Sequence, residues 1–251
     1  MTNLNLERTP QTLAGAGPAN AGLPDNLPDI LMVPGLNNSG PGHWQTIWEQ
    51  RVPRARRVDL GLWTDPHRNT WVSKLALAIG RAERPVVLVA HSLGCHVIAW
   101  WAEYEAAFNV HLRNAGPCPV VGALLVAPPD VEEHPADRRV TRFAPLPPSA
   151  LPFPSIVVAS RDDPFIGMAQ ARQVAQRWGS QFVDAGAIGH INARSGIGEW
   201  ELGLSLLRQL APESVPQQRA FVPQQKPSVT PVKTAPLPAA MAPEAPLMHW
   251  E

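Results

Sequence analysis

Cysteine is scarce in this 251-residue chain, with only Cys95 and Cys118 present. Two thiols supply neither a disulfide framework nor the paired spacing of a zinc site. A reducing compartment, most simply the cytoplasm, is therefore expected. Charge bias is also missing, since 21 Lys and Arg balance 21 Asp and Glu. Without a basic or acidic excess there is no electrostatic footprint for nucleic acid or an anionic surface. No basic segment followed by an apolar one opens the chain, and no apolar run approaches a membrane span. Neither export nor membrane insertion is expected. A dinucleotide fingerprint and a P-loop lysine are absent as well, which weakens a phosphate-cradling reading of the glycine-rich loop at Gly35.

What remains is enough for one α/β domain with a large core. Residues 1–27 are rich in Ala, Gly, Asn and Pro without periodicity and read as a flexible lead-in. From 212 to 251 the composition shifts to Pro, Gln, Ala and Val, with nine prolines from Pro212 to Pro246. Such a tail buries too little apolar surface to offset its ordering entropy, and disorder is expected there. Its end, Leu247-Met248-His249-Trp250-Glu251, could act as a docking peptide or be an unconstrained tail. Between them, over residues 28–211, apolar β-rich runs near 29–34, 56–60, 85–90, 121–127, 155–160 and 181–185 alternate with helical stretches near 43–52, 70–81, 93–107, 167–178 and 198–210. Alternation of this kind predicts right-handed crossovers and a mostly parallel six-stranded sheet in a three-layer sandwich. The expected strand order is 2-1-3-4-5-6.

The chemistry-bearing stretch is Val86-Val87-Leu88-Val89-Ala90-His91-Ser92-Leu93-Gly94-Cys95. An apolar strand runs through small residues into a helix, with a serine at the bend, which is the build of a nucleophile elbow. Ala90 stands where the usual pattern has its first glycine. By itself the motif does not exclude a serine N-cap after a buried strand. Two later residues argue otherwise, because an elbow serine needs an acid and then a histidine, each after a later strand. Asp163 follows the run Ser155–Ser160, and His190 follows Gln181–Asp184 within a glycine-rich loop. Asp162 is a rival acid; Asp184, at a strand end, is a weaker one. His190 read alone would be a surface-loop histidine.

The loop Gly35-Leu36-Asn37-Asn38-Ser39-Gly40 follows the first strand, where this architecture draws a second oxyanion donor. Main-chain N–H groups of Leu36 and Leu93 are the expected pair. Nine tryptophans against one tyrosine form the other compositional signal. Most read as packing residues, but Trp44 lies close enough to the oxyanion loop to be a substrate contact, together with Asn37, His91 and Phe165. His43, His91 and His96 do not make a plausible metal cluster, because His91 and His96 fall across a turn. The segment Val131 to Phe153 is too short for a full lid domain and predicts a shallow rim.

Together these stretches, with Ala123–Asp130 and Gly189-His190-Ile191-Asn192-Ala193, resemble the small serine hydrolases of the retinoblastoma-binding-protein/YdeN type, a compact branch of the α/β-hydrolases. The resemblance covers about residues 28–210. It implies an α/β-hydrolase-like fold, Ser92, Asp163 and His190 as triad, Leu36 and Leu93 as oxyanion donors, no cofactor and no metal, and small esters, thioesters or amides as substrates. After Asp163-Pro164 the family often has an aromatic and then a small residue; here stand Phe165-Ile166-Gly167, so the pocket shape is left open. A non-catalytic hydrolase scaffold recruiting partners through the proline-rich tail is the rival expectation.

Overall fold

The computed structural model describes residues 27–109 and 119–214. Nearly all of the expected lead-in and of the proline-rich tail, with its candidate docking peptide, and Cys118 lie outside the described residues.

Among the described residues six strands and five α-helices follow one another in the order β1 (Asp29–Val33), α1 (Trp44–Arg51), β2 (Ala55–Arg57), α2 (Arg68–Gly80), β3 (Val86–His91), α3 (Leu93–Asn109), β4 (Val120–Val126), β5 (Ser155–Ala159), α4 (Met168–Arg177), β6 (Gln181–Asp184) and α5 (Glu201–Leu210). The strands form one sheet in the order β2-β1-β3-β4-β5-β6. Every pairing is parallel. Parallel sheets need both faces covered, and the period of two in each strand divides the apolar residues accordingly. Leu31, Val33, Leu88, Ala90, Leu125 and Val157 pack on α2, α3 and α4. Ile30, Met32, Val87, Val89, Leu124 and Val158 pack on α1 and α5. The result is a three-layer α/β sandwich of the α/β-hydrolase kind.

Two boundaries differ from the sequence expectation for a visible reason. β2 stops at Arg57 because the chain leaves the sheet there: Val58 and Leu60 are buried against α2, and Gly61 and Leu62 turn with φ of +62° and +44°. α5 begins at Glu201 instead of 198 because Gly198 and Trp200 are left-handed, at φ +56° and +54°. Between β4 and β5 the chain makes only one short 3-10 turn, Val140–Phe143. Phe143 is fully buried, its ring edge-on to Trp71 at 5.8 Å, and this anchors the segment as a rim at the carboxyl ends of the strands.

Candidate active site

Ser92 sits where β3 turns into α3. Its φ is +55°, a left-handed conformation that costs a non-glycine residue about 1–3 kcal/mol unless its surroundings enforce it. They do so through the backbone. Ser92 N–H donates to Val126 O at 2.8 Å, and Ser92 O accepts from Cys95 N–H at 3.0 Å. Gly94 lets the turn lie under β1, since a Cβ there would stand 2.2 Å from Val33 O. Gly35 is constrained in the same way: a Cβ on it would stand 2.8 Å from Ser92 Cβ and 3.1 Å from Leu93 N. Ala90, by contrast, is fully buried in the core and its methyl is accommodated there.

The loop after β1 therefore passes directly against the elbow. Leu36 lines the same cavity as Ser92, and Leu93 opens α3, where a main-chain N–H has no intrahelical acceptor. Asn37 and Asn38 carry the loop through two left-handed positions, φ +64° and +63°, which asparagine tolerates better than most residues. Two side chains that sequence reading gave no role hold it. Arg57 donates from β2 to Asn38 Oδ1 (2.9 Å) and Ser39 O (2.8 Å) while its fork grips Glu49 at 2.8 Å. Gln45, fully buried, accepts from Ser39 Oγ (2.7 Å) and donates to Val89 O (3.0 Å), tying loop to strand. Only their neighbourhood to His43-Trp44 and to a strand end could have flagged them.

Across the cleft, His190 Nε2 lies 2.9 Å from Ser92 Oγ. Its Nδ1 lies 3.0 and 2.9 Å from the two oxygens of Asp163. An ionised carboxylate only accepts, so Nδ1 carries the proton and Nε2 presents its lone pair to the serine hydroxyl. The Asp163 carboxylate is wholly shielded from solvent and also accepts from Phe165 N–H at 2.9 Å. Asp162 points elsewhere. It accepts from Ser160 Oγ (2.8 Å) and Gly189 N–H (2.7 Å), contacts that hold its carboxyl below the usual range. Asp184 is likewise engaged away from the histidine, by Gly186 N–H and Arg161, with the same effect on its carboxyl.

Three further imidazoles are buried nearby and stay neutral. Burial, then Arg57 and His190, pushes His43 down to about 4. Burial, then His190 and His43, holds His91 well below the ordinary value. Burial pushes His96 to about 4 as well, against the opposing pull of its hydrogen bond to Pro129 O at 2.9 Å. Each has one ring nitrogen engaged: His43 Nδ1 accepts from Gln45 N–H, His91 Nε2 donates to His190 O and His96 Nε2 lies 2.9 Å from Pro129 O. Among the described residues no group of three or more His, Cys, Asp or Glu could hold a metal ion. No described helix is long and apolar enough to cross a membrane.

Ser92 and His190 open into a cavity of about 360 Å³ lined also by Leu36, Asn37, His91 and Phe165. The rim segment closes one side through Ala136, Asp137, Arg139 and Val140. Phe165, partly exposed, sets its ring edge-on to His190 at 4.5 Å. Trp44 corrects the sequence expectation of a substrate contact. It is fully buried behind the cavity wall, edge-on to Trp48 at 4.7 Å, with its indole N–H donated to Ile191 O at 2.8 Å. Proximity in sequence to the glycine loop suggested the cavity; the helical turn of α1 directs the ring the other way.

A protein-family model described as serine hydrolase matches residues 30–209. Among solved structures, a protein named as a YdeN-like hydrolase of Pectobacterium atrosepticum is 30% identical with a TM-score of 0.62, over 76% of this chain and 94% of that one. The ydeN gene product of B. subtilis shares the fold at 16% identity and a TM-score of 0.56, over 73% and 98% of the two chains. So does an alpha-beta serine hydrolase homologue from Coxiella burnetii, at 16% and 0.52, over 76% and 88%. None of the curated proteins matches.

Proposed function

The chain belongs to the serine hydrolase family, and from that premise we propose that it cleaves small esters, thioesters or amides through an acyl-enzyme on Ser92. The observation that carries this reading is the unbroken line from Ser92 Oγ through His190 to the shielded carboxylate of Asp163. In the proposed cycle Ser92 Oγ attacks the substrate carbonyl while its proton passes to His190 Nε2. Asp163 holds the imidazole in the required tautomer and offsets the charge it acquires. N–H groups of Leu36 and Leu93 donate to the developing oxyanion. His190 then returns the proton to the departing alcohol, thiol or amine. Water enters, gives a proton to His190 and its oxygen to the acyl carbon, and the acid leaves as Ser92 recovers its hydrogen.

Neutral His43 and His91 suit this cycle, because a second cation beside His190 would oppose its protonation. The chain supplies nucleophile, base and donors itself, so the cycle calls for no cofactor. A cavity of this size, with a rim in place of a canopy, favours short acyl chains. Each further methylene gains less than the ~0.8 kcal/mol of full burial. A cytoplasmic location, argued from cysteine usage, completes the proposal.

Fluorophosphonate labelling of purified protein, combined with turnover of p-nitrophenyl esters of increasing chain length, tests it. Labelling of Ser92 and a preference for acetate or butyrate esters are expected. Folded protein that neither labels nor turns over any short ester, thioester or amide would replace the reading with that of a non-catalytic scaffold.

A further inference from the structure

His190 lies in an irregular stretch between β6 and a short 3-10 turn at Ala193–Ser195. The backbone there is left-handed at Gly186, Gly189 and Ile191, with φ of +80°, +61° and +49°. Glycine adopts such values freely, but for a β-branched residue they are a genuine outlier. A strained residue next to the candidate base persists only if something outside the loop enforces it.

Two ring N–H groups do. His91 Nε2 lies 2.9 Å from His190 O; a carbonyl can only accept, so this nitrogen bears the proton and donates. Trp44 Nε1–H donates to the next carbonyl, Ile191 O, at 2.8 Å. The two carbonyls are consecutive, and both donors come from distant parts of the chain: His91 from the end of β3, Trp44 from the start of α1. The Ile191 side chain is fully buried in the cluster containing Trp44, Trp48 and Trp200. Trp48 Nε1–H further donates to Glu199 O at 2.7 Å, at the far end of the same loop. Because His91 immediately precedes Ser92, the group that fixes the base belongs to the turn that fixes the nucleophile.

We propose that His91 and Trp44 are positioning residues that clamp the carbonyls of His190 and Ile191 and so hold the imidazole in line with Ser92. This rests on the hydrolase reading above, in which His190 is the general base. Neither side chain needs to touch the reacting atoms. A misplacement of about 1 Å at a reacting centre costs on the order of 10²-fold in rate, so loss of one donor should show in kcat and leave binding nearly intact.

The test compares H91M, which fills the site without a donor, with H91Q, whose amide N–H reaches about as far as Nε2, and with W44F, which keeps an aromatic ring and removes the N–H. Turnover of p-nitrophenyl acetate and the rate of fluorophosphonate labelling are measured on each full-length protein. H91M and W44F are expected to lose about 10- to 100-fold in kcat with KM changed less than about threefold. H91Q should recover to within about threefold of wild type. The low-field proton signal of His190 Nδ1–H against Asp163 should broaden in H91M and W44F and persist in H91Q. W44F tests the clamp independently if H91M does not fold. Equal activity of H91M and H91Q, or a loss carried by KM, overturns the clamp while an active wild type keeps the hydrolase reading. An inactive wild type overturns both.

Discussion

Ser92 and His190 meet at 2.9 Å, yet they are brought there by different kinds of construction. The serine side is held by its own backbone and by close approach of the neighbouring chain: the Ser92 amide on Val126 O, Gly94 under Val33 O, Gly35 against Ser92 Cβ. The histidine side has no regular structure to hold it. It depends on side-chain donors that arrive from far away in sequence, His91 and Trp44, and on the indoles behind it. Steric fit governs one wall of the cleft, and long-range polar contacts govern the other. The first should therefore be intolerant of added volume and the second of lost hydrogen bonds.

The largest expected effect lies on the serine side but spares its architecture. Ser92→Ala should lower turnover by about 10⁴–10⁶ while the melting temperature stays within a few degrees, because the elbow is fixed by main-chain contacts. A collapse of stability in this variant would mean that the hydroxyl itself holds the turn.

Next comes the histidine side. Asp163→Asn should cost about 10³–10⁴ in turnover, since an amide favours the wrong imidazole tautomer. Asp162→Asn keeps an oxygen that can accept from Gly189 N–H and leaves the imidazole partner in place, so a loss under about tenfold is expected. The reverse ranking in steady-state assays would move the acid to Asp162.

A pair of glycine substitutions sharpens the contrast between the walls. Gly94→Ala drives a methyl into Val33 O and should lower the melting temperature by about 10 °C or more, on a scale of about 2–4 °C per kcal/mol for a domain of this size. At Gly189 a Cβ would meet nothing closer than Ser195 Oγ at 3.5 Å. Gly189→Ala should cost only the left-handed strain, about 1–2 kcal/mol. Equal losses in thermal melts would abolish the distinction.

The last effect is a pH dependence of stability. His43 and His96 titrate near 4 in the folded chain against about 6.5 unfolded, and His91 is lowered too. The unfolded chain therefore takes up protons first as pH falls. Stability is fully present above about 6.5 and declines toward about pH 4, by up to about 3 kcal/mol for each of His43 and His96. His96→Gln, whose amide can still reach Pro129 O, should flatten the curve of urea midpoint against pH. An unchanged slope would show that His96 is not among the groups responsible.

The contrast between the walls also explains what could be read in advance. The parallel sheet and the division of apolar residues between its two faces follow from alternation and the period of two, both local properties. The elbow was legible for the same reason, because its strand, bend and helix are consecutive residues whose small side chains mark the turn. The choice between Asp162 and Asp163 was not, since adjacent residues of one loop differ only in the direction their side chains take. Trp44 was misread as facing substrate because its distance in sequence from the glycine loop says nothing of the rotation of α1. Gln45 and Arg57 were given no role because their partners are carbonyls and loop residues that carry no signature.

The sequence by itself determined the parallel sheet, the serine set in a turn of small residues between strand and helix, and the order of Ser92, Asp163 and His190, because each depends on periodicity, residue size or chain order. Only the tertiary structure decided which carboxylate faces His190, which way the indole of Trp44 points and what holds Ile191 in a left-handed turn. Those outcomes depend on hydrogen bonds across 27 to 147 residues of chain, whose directions are set only once the helices have packed on the sheet.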